Sequence, residues 1–281
     1  MRVKASLEWL ASTGAKFSAG SGKTGVAHLR HYSATFREWG SGPPLVLLPG
    51  LAGGFELLGP LARLLAEHFR VVSYQLRGEE DCFALRRRFG LLDLVDDLAE
   101  FLDWHGLESP TLFGVSFGGL LALEYAARFP CGLDHLIIQG AGCRFERGLI
   151  ERVAAMVLTR YPLPPDSPFV NQFFNLLFGG RQKPGALFHF VTQQCWQTDQ
   201  GVMAHRFHLV EQFNMGNRLE RIQVPTLVLV GDRDLLVSDR SLDHLCQGIR
   251  HSALIRLNGC GHLAFVMEPQ RVADAVQRFL Q

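Results

Sequence analysis

Residues 112–119 constrain the fold of this chain more than any other segment. A short apolar run ends in Gly-Val-Ser-Phe-Gly-Gly at 114–119, and a helical pattern follows at once over 120–129. This order predicts a strand, a sharp turn and a helix, with Ser116 at the apex in a strained backbone conformation. Gly114 and Gly118 have no Cβ, so strand and helix can pass closely beside it. The hydroxyl is then exposed at the positive end of the helix, where a nucleophile is expected.

Length and composition limit the classes to which the protein can belong. A chain of 281 residues with 47% hydrophobic and 20% charged residues is typical of one globular α/β domain, with or without an inserted lid. The net charge of +1 creates no broad field for nucleic acid or an anionic membrane. There is no apolar run of membrane-spanning length, and Glu8 interrupts the segment that a signal peptide would need. Six scattered cysteines without a C-x-x-C pair predict free thiols and a cytoplasmic location.

Short apolar runs alternate with amphipathic helical patterns along most of the chain. This alternation predicts an α/β fold with a mostly parallel, doubly wound sheet of about eight strands. The predicted strands are a pair within 28–39 and single strands at 44–48, 70–76, 111–115, 133–139, 226–230 and 253–257. Predicted helices besides the one after Ser116 cover 57–68, 91–104 and 269–280.

The interval 143–221 breaks this alternation. It is helical in pattern, rich in phenylalanine and split by a proline-containing turn at 161–166. We interpret it as a helical cap inserted late in the sheet, over the carboxyl edge where open α/β sheets bind ligands. Most of its aromatic residues are expected to hold the cap together, while one or two line an apolar pocket. The predicted organisation is an N-terminal extension (1–25), a core (26–142 and 222–281) and the cap (143–221).

Two further motifs supply the partners that a serine nucleophile needs. A buried-strand pattern runs into Gly-Asp-Arg-Asp at 231–234, and a further predicted strand runs into a glycine-flanked loop that ends in Gly261 and His262. With Ser116 these residues follow the chain order serine, acid, histidine, each beyond the carboxyl end of a predicted strand. In such a set Ser116 attacks an acyl carbon, His262 accepts and returns the proton, and a carboxylate orients the imidazole.

These motifs, with the Leu-Pro-Gly-Leu loop at 48–51, resemble the α/β-hydrolase superfamily over about residues 28–281. The resemblance is to the serine-hydrolase branch with a helical cap inserted late in the sheet. Its pattern Gly-x-x-Asp selects Asp234 as the acid and leaves Asp232 to hold the turn or pair with an arginine. Similar proteins are cofactor-free hydrolases of esters, lactones, thioesters and some carbon–carbon bonds, which implies neither a cofactor nor a metal here.

The resemblance also implies an oxyanion hole of two backbone N–H groups, those of Phe117 and Leu51. The chain departs from its relatives at Pro49, where they usually carry a histidine that braces this loop. It also departs over 75–80, although Arg77 and Gly78 remain and are expected to be structural turn residues.

Other candidate residues have simpler interpretations. His205 and His208 have a spacing that can bind metal, but no acidic third ligand is in register, so they are expected to be ordinary cap histidines and no metal site is predicted. Cys260 is expected to serve packing. A solvated helix face is predicted for Asp93, Asp96, Asp97 and Glu100.

The sequence therefore favours a serine hydrolase that cleaves a small to medium, largely apolar carboxylic ester or lactone through an acyl-enzyme. One alternative is a carbon–carbon bond hydrolase of the meta-cleavage product type. Another is a non-catalytic small-molecule binding protein on the same scaffold, and an acyltransferase would need an acceptor that outcompetes water. In each case the expected partner is a small molecule, without nucleic acid and without a membrane span, and the oligomeric state stays open.

Overall fold

The computed structural model describes residues 22–79, 88–145, 168–180 and 185–281. Within these residues an eight-stranded sheet forms the centre of the molecule, in the order β1-β2-β4-β3-β5-β6-β7-β8. Its strands are β1 (Lys23–His28), β2 (Ser33–Trp39), β3 (Pro44–Leu48), β4 (Arg70–Tyr74), β5 (Thr111–Val115), β6 (Leu136–Gln139), β7 (Thr226–Gly231) and β8 (Ser252–Leu257).

Strand direction in this sheet changes only near one edge. β1 pairs with β2 and β2 with β4 in antiparallel orientation, and all pairs from β4 through β8 are parallel. In the middle of the sheet Leu48 of β3 lies opposite Gly114 of β5, and Val115 lies opposite Gln139 of β6. The carboxyl ends of β5, β6, β7 and β8 therefore lie along one edge, and the loops that follow them come together there.

Helices cover both faces of the sheet. The α-helices are α1 (Gly54–Leu65), α2 (Leu91–Trp104), α3 (Phe117–Arg128), α4 (Pro168–Leu177), α5 (Gly185–Cys195), α6 (Gln200–Gln212), α7 (Asp239–Gly248), α8 (Ala264–Met267) and α9 (Pro269–Leu280), and a 3₁₀ helix spans Gly216–Arg221. The alternation of strand and helix predicted from the sequence is confirmed.

The core consists of two apolar layers because successive strand residues point to opposite faces. On β3, Val46 belongs to the layer beneath α2, α3 and α7, whereas its neighbour Leu45 belongs to the layer beneath α1 and α9. The central strands are buried on both faces, as parallel sheets between helices must be. This double burial holds the strand ends rigidly in place.

Helices α4, α5 and α6 lie between β6 and β7 in the chain and are the described α-helices of the inserted cap. Val170 and Phe174 of α4 and Val191 of α5 are buried in the apolar layer that also contains α1. The predicted turn at 161–166 lies outside the described residues, as does almost all of the proposed extension at 1–25. The exact limits of extension, core and cap stay predictions.

Several element limits differ from those expected. The first strand begins at Lys23 rather than His28, β6 begins at Leu136 rather than Leu133, and α1 begins at Gly54 rather than Leu57. Helix α7 was not expected from the sequence. Only Ser241, Leu242 and Leu245 of that helix are buried, so its apolar stripe is narrow.

The predicted solvated face of α2 is wrong for Asp97. This side chain is buried, and Arg77 donates to its two carboxylate oxygens over 2.9 and 2.5 Å. Asp97 follows Leu94 by three residues and precedes Phe101 by four, so helical periodicity places it on the buried stripe. Arg77 is thus a structural residue that links the loop after β4 to α2, as expected.

None of the helices in the described ranges is both long enough and apolar enough to traverse a lipid bilayer.

Candidate active site

Ser116 occupies the turn between β5 and α3 in an unusual backbone conformation. Its φ of 50° and ψ of −113° are strained for a residue with a side chain. Its N–H donates to the carbonyl oxygen of Gln139 over 2.8 Å, and its own carbonyl oxygen accepts from Gly119 N–H over 2.8 Å. The backbone is therefore held from β6 on one side and from α3 on the other, and the hydroxyl projects from the apex.

The turn leaves no room for side chains at the two glycines beside it. A Cβ on Gly114 would lie 2.3 Å from the carbonyl oxygen of Gly118, and a Cβ on Gly118 would lie 2.3 Å from that of Leu48. Both obstacles are backbone atoms that cannot rotate away. Glycine is thus required by close approach at these positions, as expected from the sequence.

The structure brings together all three residues that the sequence singled out. His262 Nε2 lies 2.8 Å from Ser116 Oγ, and His262 Nδ1 lies 2.9 Å from Asp234 Oδ2. The Asp234 side chain is fully buried and that of His262 is 8% exposed. With the proton on Nδ1, the imidazole donates to the carboxylate, and Nε2 is free to accept from the serine hydroxyl.

The two carboxylates of the 231–234 turn have different partners. Asp234 Oδ1 accepts from Leu236 N–H over 2.9 Å, so both of its oxygens are hydrogen-bonded despite burial. Asp232 Oδ1 accepts from Gly259 N–H over 2.7 Å and so ties the β7 turn to the loop that carries His262. Asp232 therefore holds the turn, and Asp234 alone contacts the imidazole.

Gln139, at the end of β6, is a positioning residue that sequence reasoning missed. Its side-chain Nε2 donates to His262 carbonyl oxygen over 3.0 Å, and its own carbonyl oxygen accepts from Ser116 N–H. One buried residue thus holds the backbones of both the serine and the histidine. The available signal was its position at the carboxyl end of a buried strand. The next residue, Gly140, has a φ of +65°, and a Cβ there would lie 3.1 Å from the His262 ring.

The two N–H groups expected to form an oxyanion hole flank Ser116. Phe117 is the first residue of α3, and Leu51 lies in the loop after β3. A Cβ on Gly50 would be 3.7 Å from Ser116 Cβ, which shows how closely this loop approaches the serine. Within the described part of the chain, the N–H groups of Leu51 and Phe117 donate to no protein acceptor. Both N–H groups therefore stay candidate oxyanion donors.

A cavity of about 230 Å³ opens over the serine and the histidine beneath the cap. Its walls are mainly aromatic and aliphatic side chains from both core and cap, among them Phe145, Phe174, Trp196, Phe207 and Val237. More cap aromatics therefore line the cavity than the one or two expected from the sequence. Burial raises the pKa of Cys195, another wall residue, to about 12, so its thiol stays uncharged. The cavity therefore suits an apolar group attached to a reacting centre at Ser116.

The other candidate residues from the sequence analysis, two histidines and a cysteine, make ordinary structural contacts. His205 Nε2 lies 2.7 Å from Phe89 carbonyl oxygen, and His208 is exposed beside Gln212 on α6. Cys260 is buried in the layer beneath α1 and α9. In the ranges that the structure describes, there is no group of three or more side chains placed to hold a metal ion.

Comparison with known protein families agrees with this geometry. A family described as the alpha/beta hydrolase fold matches residues 43–269, which include the serine turn, the acidic turn and the histidine loop. The chain belongs to the α/β-hydrolase fold family. Its relatives in this family include named hydrolases and esterases, and the protein is an enzyme of the hydrolase class.

Individual α/β hydrolases resemble the chain over most of its length. A putative carbamate hydrolase RutD of Agrobacterium fabrum is 25% identical over 267 residues, covering 89% of this chain and 97% of its own. A pimeloyl-[acyl-carrier protein] methyl ester esterase of Nitrosospira multiformis is 23% identical, covering 85% and 95%. The crystal structure of a membrane phospholipase A superposes with a TM-score of 0.80 at 25% identity, covering 99% and 91%.

The close approach at the serine turn predicts a specific loss of stability. Gly114→Ala should lower the free energy of unfolding by about 3 kcal/mol, because the new methyl group meets backbone atoms in a packed core. Urea denaturation followed by circular dichroism measures this change. The matched control is Gly185→Ala at the exposed start of α5, where no described heavy atom lies within 4 Å of the new Cβ. That control should change stability by less than about 1 kcal/mol. Equal stability of the two variants would contradict the packing argument.

Proposed function

We propose that the protein is a serine hydrolase that cleaves a small to medium, largely apolar carboxylic ester or lactone through an acyl-enzyme. The observation that carries this proposal is the continuous hydrogen-bonded chain from Asp234 through His262 to Ser116, which ends at the floor of an apolar cavity. Ser116, His262 and Asp234 are the proposed catalytic residues. The N–H groups of Leu51 and Phe117 are the proposed oxyanion donors.

Acylation begins with Ser116 Oγ attacking the carbonyl carbon of the substrate while His262 Nε2 takes the hydroxyl proton. The buried carboxylate of Asp234 stabilises the imidazolium that forms and keeps its ring oriented. The carbonyl oxygen becomes an oxyanion, to which Leu51 and Phe117 donate. Collapse of the tetrahedral intermediate breaks the carbon–oxygen ester bond, and His262 gives its proton to the departing alkoxide.

Deacylation repeats these steps with water as the nucleophile. His262 Nε2 takes a proton from water, the hydroxide attacks the acyl carbon, and the second tetrahedral intermediate collapses to a carboxylic acid and Ser116. For a lactone, alcohol and acid stay joined in one product. No step requires a cofactor or a metal.

The proposed substrate class follows from the cavity. Its walls are mostly apolar, which favours an uncharged acyl or alcohol group. The name of the methyl ester esterase among its relatives is compatible with an ester substrate. Among the cavity residues that the structure describes, no contact favours a carbon–carbon bond hydrolase or a pure binding protein. A cytoplasmic location stays a prediction.

The first test removes the nucleophile. Ser116→Ala should reduce kcat on p-nitrophenyl esters of short acids by at least about 10⁴-fold and abolish covalent labelling by a fluorophosphonate. Ser252→Ala is the control, since the hydroxyl of this serine bonds to Cys246, through its carbonyl oxygen and its thiol, and neither residue lines the cavity. It should keep wild-type kinetics. Wild-type protein that neither labels nor hydrolyses any ester or lactone in a broad panel would contradict the proposal, and turnover of a vinylogous diketone alone would favour the carbon–carbon alternative.

The second test compares the two carboxylates of one turn. Asp234→Asn should lower kcat by about 10⁴-fold, because an amide cannot stabilise the imidazolium and favours the wrong tautomer. Asp232→Asn should stay within about threefold of wild type, since the amide oxygen can still accept from Gly259 N–H. Steady-state kinetics on one ester measures both variants. The assignment of Asp234 would be wrong if Asp232→Asn were the more damaged enzyme.

A further inference from the structure

The loop that carries the proposed oxyanion donor Leu51 is held from the cap. Arg206, on α6, has a completely buried side chain. Its Nη1 donates to Leu51 carbonyl oxygen over 3.1 Å and to Glu79 Oε1 over 2.7 Å. The carbonyl oxygen and the N–H of Leu51 belong to successive peptide units, so a bond to the first restricts the direction of the second.

The same guanidinium contacts two other parts of the site. Arg206 Nη2 donates to the carbonyl oxygens of Leu76 and Arg77 over 3.3 and 3.2 Å. Its central carbon lies 5.7 Å from the centre of the Phe117 ring. One cap side chain therefore touches both residues that supply the proposed oxyanion donors, together with the turn after β4.

A second cap residue holds the other end of the loop. Gly53 N–H donates to the side-chain oxygen of Thr198 over 3.1 Å, and Thr198 is buried just before α6. The cap thus donates to the loop at Leu51 and accepts from it at Gly53. These two bonds restrain a loop that has little support of its own, since Pro49 has no N–H and no polar side chain.

The carboxylate of Glu79 offsets the desolvation cost of burying the Arg206 guanidinium. Its carboxylate is buried, and a Cβ on Gly54 would lie only 3.1 Å from Glu79 Oε2. The ion pair therefore packs directly behind the loop and the start of α1. A charge-assisted hydrogen bond that is shielded from water is short and directional, so it restrains the loop better than a bond between neutral groups would. The contacts of Arg206 and Thr198 with this loop are called the brace below.

We propose that Arg206 and Thr198 are positioning residues, through which the cap sets the direction of the Leu51 N–H and completes the oxyanion hole. This inference rests on the proposed function of Ser116 and adds to it the claim that the cap takes part in transition-state stabilisation. Neither residue touches the reacting atoms. Loss of the brace should therefore reduce kcat far more than it raises KM, because the oxyanion develops only after the attack.

Thr198→Val is the sharper of two tests, since it preserves shape and removes only the acceptor of Gly53 N–H. It should lower kcat about tenfold or more and change KM less than about twofold. Affinity for a trifluoromethyl ketone, which forms an oxyanion on Ser116, should fall by the same factor as kcat/KM. Affinity for the matching ether, which forms none, should stay within about twofold. Thr192→Val on α5 is the matched control, because that hydroxyl bonds only within its own helix, and should behave as wild type.

The second test removes the ion pair without leaving a buried charge. Arg206→Met combined with Glu79→Gln should lower kcat about 100-fold, again with little change in KM. Hydrogen exchange of peptides covering residues 50–57 should quicken in this variant even without substrate. The control is Arg218→Met with Glu124→Gln. It removes another ion pair, in which Arg218 Nη1 lies 2.6 Å from Glu124 Oε2 and which joins the 3₁₀ helix to α3. That control should leave exchange over 50–57 and kcat unchanged.

The outcomes separate this inference from the proposed function. Active wild-type enzyme whose brace variants keep normal kcat, normal ketone affinity and normal exchange over 50–57 would overturn the inference alone. Equal loss of ketone and ether affinity, or a loss explained by fewer titratable active sites, would also overturn it by showing a general structural effect. An inactive wild-type protein would overturn the proposed function. Even then, unchanged hydrogen exchange over residues 50–57 in the Arg206→Met, Glu79→Gln variant would overturn the inference about the brace.

Discussion

The sharp turn at Ser116 is the constraint on which the rest of the structure depends. Its positive φ and the absence of side chains at Gly114 and Gly118 let β5, α3 and the loop after β3 meet at backbone contact distance. This closeness places the serine hydroxyl, the N–H of Phe117 and the loop of Leu51 around one point. A strained conformation persists because its surroundings fix it from several sides. Here those surroundings are β5 and β6, two parallel strands buried between helices, and the backbone bond from Ser116 to Gln139 joins the turn to them.

Polar and apolar side chains occupy different parts of the site at this edge of the sheet. The polar groups form a closed path in which Asp234, His262 and Ser116 are each satisfied by a partner, with Gln139 linking two of their backbones. The cap contributes apolar walls above this path and the buried guanidinium of Arg206 behind the loop of Leu51. A cavity that excludes water strengthens hydrogen bonds to a developing charge. The cap therefore both shapes the cavity and restrains Leu51, and its removal would change both.

Local sequence patterns predict the sheet, most of its helices and the residues that meet at the serine, because each of those residues follows a short strand in a glycine-containing turn. The residues that sequence reasoning missed depend on distant partners. Arg206 and Glu79 are separated by 127 positions, and Gln139 and His262 by 123. For Asp97, residue type predicts exposure because a carboxylate is normally solvated, and the partner Arg77 explains why it is buried instead. Pairings between residues so far apart in the chain, such as Arg206 with Glu79, arise from tertiary packing, which local periodicity and spacing do not encode.

The most direct test of the central claim is a crystal structure of the protein after reaction with a fluorophosphonate. The account predicts a phosphorus–oxygen bond to Ser116 Oγ, with the phosphoryl oxygen about 2.7–3.1 Å from the N–H nitrogens of both Leu51 and Phe117. His262 should lie beside the adduct and keep its bond to Asp234. An adduct on another residue, or a phosphoryl oxygen directed away from both N–H groups, would contradict the account.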